Sequence, residues 1–481
     1  MRSKVSVFFT LVLFTFAQAT VAETPSPNSA NSPVDKRWLI KNVNVLPMSD
    51  RSYSILLNQS VLIHGNKIVK VEPAFKIKAA SDIFVVDGQG KFLLPGLIDT
   101  HVHIWDEPEL SAYLAYGVTT VRNASGMPFH LRFRKEIEAG LLVGPRLITT
   151  GPILNGQGPN TQPNHQLVNN AEEAQAAVKQ QYEQGYRHLK VYSNLSKEAY
   201  DAILMESRRL GMTIMGHTPE GVRDKGIPYS KPFRIAFREL LDDHFVSIEH
   251  MESIVWHGLY DDLDENKARK LAKEIVAHSV AITPTLVAHH NLVRVSQTQG
   301  QYLQRPGVQT LNPFIVEWEK ESYEFWSSQK PDSRKSYHEF YLNATKIFHE
   351  EGVTLITGTD SGIFTNIPGQ SLIDELNLFV MAGLTPYQAI EAATINSARV
   401  LGLGEQVGQI KAGYIADLIL IDADPTKTIQ ALESLSGLVV RGQWYSTEDI
   451  SRLKQEAENT SYERSRRRVL EGLSAQGSSL D

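Results

Sequence analysis

The feature that most restricts how this chain can fold is a series of eight short apolar runs. They lie at 96–101, 118–121, 146–150, 188–192, 213–217, 246–250, 281–285 and 354–358. Amphipathic stretches lie between most of them, such as 171–184 and 196–210. Asn194 or Ser196, ahead of Lys197 and Glu198, supplies an N-cap for the second stretch. Short apolar strands alternating with helices predict parallel βαβ units. Eight such units over roughly 300 residues predict an α/β fold of the (β/α)8, TIM-like barrel type with insertions.

This barrel is expected over 96–405, with a β module on either side of it. Alternating runs at 39–45, 60–64, 67–71 and 83–87 belong to a module at 37–95. Strand patterns return at 417–421 and 438–442, within 406–447. The two pieces are expected to complete one small β-sandwich built from both chain ends. Residues 448–481 form a charged, helix-prone tail, expected at the surface. The largest insertion, 296–341, carries Tyr302, Phe314, Trp318, Tyr323, Phe325 and Trp326. It follows the seventh strand, so it either covers the barrel mouth or packs outside as extra helices.

The first 22 residues have a different character. Arg2 and Lys4 precede an apolar run at 5–16, and Thr20-Val21-Ala22 offers small residues for a cut before Glu23. This is the pattern of a signal peptide, which predicts a periplasmic or secreted protein cleaved near Ala22. The apolar run is short of the ~20 residues that span a bilayer, and no later segment reaches that length. Residues 23–36, rich in Pro, Ser and Asn, read as a flexible leader. The chain has no cysteine, which excludes disulfides, thiolate ligands and a cysteine nucleophile. Its net charge of −6 comes without a basic face, so no nucleic-acid partner is expected. A homo-oligomer is compatible with the sequence but not demanded by it.

Candidate chemistry gathers at the ends of the predicted strands. His101 and His103 close the first strand, and side chains two apart on a strand point the same way. Lys190 lies near the end of the fourth, His217 ends the fifth, His250 the sixth, and Asp360 follows the eighth. In a barrel of this type the C-terminal strand ends form the active site. Each residue has a plainer reading alone: a loop histidine at 217, a turn at Thr359-Asp360-Ser361, a salt-bridged lysine at 190. Their joint placement points instead to a metal site.

The motifs resemble those of the amidohydrolase superfamily, in the branch related to imidazolonepropionase and bacterial prolidase-like (Xaa-Pro) dipeptidases. The segments that carry the likeness are LPGLIDTHVH at 94–103, GVTTVR at 117–122, KVYS at 190–193, MGHTP at 215–219, IEH at 248–250 and TGTD at 357–360. The stretches 384–396 and 413–418 match as well, so the likeness covers about 38–445. It implies a barrel beside a β-sandwich and two divalent ions, zinc being the expectation. His101, His103 and Asp360 would hold the first ion, His217 and His250 the second. Carboxylated Lys190 would bridge them. It implies attack of a metal-bound hydroxide on a carbonyl, with Asp360 as general base and then acid. Tyr192, two residues after Lys190 and so on the same face, is expected either to donate to substrate or to pack as an aromatic, and Arg122 either to pair with a substrate carboxylate or to form a structural ion pair under the rim. Asn123 departs from the Asp found after this arginine in many relatives, which bears on substrate contacts.

The implied substrate is a small-molecule amide, a dipeptide or N-acyl amino acid, with C-terminal Pro the first choice. A cyclic amide or lactone would suit the same site. Deamination is a further alternative, because Glu220 stands three residues after His217 as in deaminases of the superfamily. A non-catalytic scaffold is the remote alternative.

Overall fold

The computed structural model describes residues 36–49, 54–77, 80–159, 161–222 and 233–478. The expected signal peptide, and the leader up to residue 35, lie outside the described residues. Among those described, no helix is long and apolar enough to cross a membrane.

Both chain ends meet in one mixed eight-stranded sheet. Its order runs Gln443–Tyr445, Leu435–Val440, Leu418–Ile421, Phe92–Pro95, Arg37–Val45, Leu56–His64, Lys67–Pro73, with Phe84–Asp87 also paired to Arg37–Val45. The antiparallel register of Leu418 on Pro95 and Ile421 on Phe92 stitches the two ends together. Strand periodicity then divides this seam between two cores. Leu418 and Leu420 pack with Ile40, Val43, Val61 and Leu93, whereas Ile419 and Ile421 face the main core. The strands expected from the two chain ends thus join in one continuous hydrogen-bonded sheet.

The next strand leads straight from this seam into parallel structure. Leu97–Val102, Val118–Asn123 and Arg146–Thr149 form a three-stranded parallel sheet. A six-stranded parallel sheet follows the order His165–Leu167, Ile153–Asn155, His188–Val191, Thr213–Gly216, Ser247–Glu249, Ala281–Thr283. Seven of the eight expected barrel strands are present. The two short strands at 153–155 and 165–167 are additional.

The eighth expected strand is the exception. Residues 354–361 form isolated bridges, Leu355 with Ile282 and Ser361 with Val102. Ile356 N donates to Ile282 O at 3.0 Å and Thr100 N to Thr357 O at 2.9 Å, so the segment touches both parallel sheets. At the other edge, Gly151 N donates to His188 O at 2.9 Å. Side chains interrupt the ladder: Thr357 Oγ1 bonds Ile98 O and Thr359 Oγ1 bonds Asp99 Oδ2, both at 2.7 Å. Gly358 is required by close approach, since a Cβ there would lie 2.7 Å from the Cβ of His101.

Helices form where the sequence signals them. Ala171–Gln184 starts at Asn170, whose side chain accepts from Glu173 N, and Lys197–Leu210 is capped by Ser196. The C-terminal segment differs from expectation. It forms helices Thr447–Glu456 and Tyr462–Ala475, and the second is not a surface tail. Ser465, Arg468, Val469, Gly472 and Leu473 make one buried stripe at helical spacing, which docks on the parallel core.

Candidate active site

Strands of the two parallel sheets end around a cavity of about 350 Å3, and the residues of interest come off those ends. Backbone geometry aims them inward. His250 (φ 70°), Thr285 (φ 46°) and Asp360 (φ 55°) adopt left-handed conformations just beyond the sheet ladders. Non-glycine residues rarely do so, and the strain is tolerated where surrounding bonds fix the chain. For Asp360 those bonds are its N–H to His101 O at 2.8 Å and Asn366 Nδ2 to its carbonyl at 3.2 Å.

Nε2 of His101 and Nε2 of His103 each lie 3.1 Å from Oδ1 of Asp360. These three residues form a cluster whose candidate ligand atoms all sit within 4.8 Å of one another. His250 Nδ1 lies 3.7 Å from Asp360 Oδ2, and the His250 ring is 4.8 Å from that of His101 and 4.2 Å from that of His217. Lys190 Nζ reaches His101 Nε2 at 2.8 Å. The six residues named from strand ends are therefore assembled in one place.

Each imidazole is held by its other nitrogen. His101 Nδ1 meets Glu249 Oε2 at 2.8 Å, His103 Nδ1 meets Ser125 Oγ at 2.8 Å, and His250 Nδ1 meets Thr285 Oγ1 at 2.7 Å. His217 Nδ1 lies 3.3 Å from Ser253 Oγ. Such outer contacts fix ring orientation and leave Nε2 as the ligand atom. His250 Nε2 is buried without a hydrogen-bond partner among the described residues, as a nitrogen reserved for a cation would be.

The electrostatics match that role. Burial pushes His103 down to about 4 and His250 down to about 3, and holds His217 well below the ordinary imidazole value. Neutral imidazoles are the form that binds metal. Burial works against ionisation of Asp360, but the neighbouring His101 and His250 outweigh it and keep the carboxyl well below its usual range. Burial also brings Lys190 down to about 8, against the pull of Asp360 and Glu249.

Arg122 is a correction to the sequence reading of a substrate contact. It is 1% exposed and lines no part of the cavity. Its Nε donates to Thr100 O at 2.6 Å, and Nη2 reaches Ser247 Oγ at 2.8 Å and Glu249 Oε1 at 2.9 Å. It is the structural ion pair beneath the site. Glu220, the residue matching a deaminase spacing, is also buried away from the cavity wall. Tyr192 does line the cavity, its ring 4.0 Å from His217 and 4.7 Å from His165.

Several cavity residues escape sequence reasoning. His165 Nδ1 accepts from Gln162 N at 3.2 Å and from Asn155 Nδ2 at 3.1 Å. That bonding puts the ring proton on Nε2, which is buried without a partner among the described residues, on a residue that lines the cavity. Glu252 and Glu319 also face the cavity; Glu252 is exposed there, whereas burial pushes the more enclosed Glu319 up to about 7. Part of the 296–341 insertion is a wall: Ile315, Trp318, Glu319 and Ser322 come from helices Pro313–Trp318 and Lys320–Ser328 or their junction. Trp105 and Trp318, 6.1 Å apart, form an aromatic corner. Only the aromatic density of the insertion hinted at this.

The chain is similar to several known proteins. A profile described as "Amidohydrolase family" matches residues 92–445. Adenine deaminase of Desulforamulus reducens is 23% identical over 433 residues, covering 84% of this chain and 57% of that protein, so the chain spans little more than half of this relative's length. Imidazolonepropionase of Idiomarina loihiensis is 39% identical over 66 residues, 14% of this chain and 16% of its own. Among solved structures, a Xaa-Pro dipeptidase with bound methionine in the active site superposes with a TM-score of 0.65 at 21% identity. It covers 85% of this chain and 100% of that one.

Proposed function

Because the chain belongs to the amidohydrolase family, we propose that it hydrolyses a carbon–nitrogen amide bond in a small molecule with the help of two divalent ions. One observation carries the reading: four imidazoles fixed through Nδ1 gather about one ionised carboxylate, with a buried lysine beside them. His101, His103 and Asp360 would hold one ion and His217 and His250 the other, zinc being the first choice for a nitrogen-and-oxygen donor set. Lys190 suits a bridging carbamate. A buried amine with its proton affinity brought down to about 8 offers more of the neutral form that adds carbon dioxide. The two parallel sheets, joined through 354–361 and Gly151, read as one barrel, and the mixed sheet as its accompanying sandwich.

When bound, such ions polarise a carbonyl and lower the pKa of water to about 7. The chain's own groups do the rest. Asp360, held ionised, takes a proton at its carboxylate and returns it to the leaving nitrogen. His165 Nε2–H and the Tyr192 hydroxyl are donors placed to orient a substrate carboxylate or carbonyl. Trp105, Ile315, Trp318, Ile363 and Phe364 supply an apolar wall. Glu252 and Glu319 suit an amino group on the same substrate. These features together favour a dipeptide or N-acyl amino acid, with Xaa-Pro first. A cyclic amide or lactone would use the same groups.

Deamination is supported by the likeness to adenine deaminase, but Glu220 stands away from the cavity. Residues 1–22 are proposed as a signal peptide, which would place the mature enzyme in the periplasm or outside the cell. The deciding assay uses protein reconstituted with zinc or manganese plus bicarbonate. Xaa-Pro dipeptides, N-acyl amino acids, a lactone and adenine are offered in parallel. Turnover of the first two classes is expected. Ammonia release from adenine, with none of the amides cleaved, would replace this reading with deamination.

A further inference from the structure

The C-terminal helix Tyr462–Ala475 lies outside the stretch that the family profile matches, 92–445. It and the residues flanking it nevertheless touch three segments that carry cavity-lining residues. The strongest contact is with the loop just after His103. Asp106, fully buried, receives Ser461 N at 3.0 Å, Arg464 Nε at 2.6 Å and Arg464 Nη2 at 2.5 Å. Arg468 Nη1 also bonds Asp106, and Arg468 Nη2 bonds Glu107. A buried carboxylate taking this many charge-assisted bonds is fixed in position.

What those bonds fix is one residue away. Trp105 stacks over the ring of His103, at 6.2 Å and 13°, and its Nε1 donates to Gly362 O at 3.0 Å, two residues past Asp360. The same helix reaches the neighbouring wall segment. Asn312 Nδ2 lies 2.8 Å from both Ser465 Oγ and Glu109 Oε1, and Glu109 Oε2 accepts from Trp105 N at 3.0 Å. Asn312 caps the helix that carries Ile315 and Trp318, and Tyr462 packs edge-on against Phe314 at 5.6 Å. At its end, Ser478 Oγ donates to the carbonyl of His165 at 3.1 Å.

We infer that this helix is a positioning element of the substrate cavity: Arg464 and Arg468, through Asp106, and Ser465, through Asn312, set Trp105 and Trp318 against each other as one wall. The inference rests on the cavity being the amidohydrolase site proposed above. These residues touch no reacting atoms, so they act on substrate fit more than on the chemical step. Displacement of a wall by about an ångström can cost up to about a hundredfold in rate.

The test compares full-length wild type with Arg468→Gln, the charge-keeping Arg468→Lys, Ser465→Ala and the pair Arg464→Gln/Arg468→Gln. Each is reconstituted with zinc and assayed for zinc content, kcat and KM on the best substrate of the panel. Amide hydrogen exchange is followed at 104–110 and 312–318. Unchanged zinc content, a KM raised about tenfold or more in Arg468→Gln with a smaller change in kcat, and partial rescue by Arg468→Lys are expected. Exchange should rise at both segments together, although the arginines hydrogen-bond side chains of the first. A fall in thermal stability with KM and both exchange patterns unchanged would overturn the inference. If the double variant does not fold, Ser465→Ala, which loses one hydrogen bond, carries the same comparison. The exchange result stands without any substrate, so failure of the amidohydrolase reading and failure of this one are separable.

Discussion

Glu249 holds His101 with one carboxylate oxygen and Arg122 with the other, at 2.8 and 2.9 Å, and all three side chains are cut off from solvent. Burial alone would raise this carboxyl. Arg122 first, and then His101, bring it down to about 2. The ion pair is thus not a support distant from the chemistry, because it fixes the ring that offers Nε2 to the centre. Glu249→Gln is expected to keep the fold and lower zinc affinity by about ten- to a hundredfold, the usual cost of losing such a partner. Competition with a chelator of known affinity measures it. Wild-type affinity in the variant would show that His101 does not depend on Glu249.

Arg122 gives the complementary prediction. Arg122→Met would leave Glu249 charged and buried without its counter-ion, at a cost of about 3–5 kcal/mol. The loss should appear as reduced thermal stability in metal-free protein. A substrate contact would behave differently, with normal stability and a raised KM. That second pattern would contradict the buried placement.

Lys190 is 2% exposed and sits beside His101 Nε2. Lys190→Ala should lose nearly all activity and much of the bound metal. Formate or propionate, which can stand in for a carbamate, should restore part of both. Bicarbonate labelled with 13C should give a carbamate signal in wild type and none in the variant. Full rate and full metal content in Lys190→Ala would remove the bridge from the account while leaving the ligands in place.

His130 tests the electrostatics without touching a ligand. Its Nδ1 accepts from Met127 N at 2.9 Å and its Nε2 donates to Ile104 O at 2.7 Å. Burial pushes it from 6.5 down to about 3. Between those values the unfolded ring is protonated and the folded ring is not. The unfolded state binds more protons, so stability is full above pH 6.5 and falls as pH drops. By pH 4 this one ring should cost on the order of 3 kcal/mol. His130→Gln removes that proton, so its unfolding free energy should decline less steeply between pH 6.5 and 4. Denaturant titrations of metal-free protein at several pH values check it, and parallel slopes would defeat the assignment.

Much of the site was readable because strand ends announce themselves. His101 and His103 follow a run of apolar residues, and His217 and His250 do the same. Their joint placement needed only the βα alternation. The eighth run reads as a strand in the sequence, but the structure forms only isolated bridges there, because Thr357, Thr359 and Asp99 bond across the ladder and Asp360 turns left-handed. Glu249 could not be recognised as the partner of His101, since strand position says nothing about which oxygen meets which ring. His165 was hidden for another reason. It sits on a three-residue strand, His165–Leu167, too short for any periodic signal. The C-terminal helix did carry one: Ser465, Arg468, Val469, Gly472 and Leu473 recur at helical spacing, masked by the charges between them.

The central claim is that cations occupy the space between these side chains. Diffraction from crystals grown with zinc, recorded at the zinc absorption edge, tests it most directly. Two anomalous peaks are expected, one within ligand distance of His101, His103 and Asp360 and the other beside His217 and His250. Fully ordered side chains with no anomalous peak among them would contradict the account.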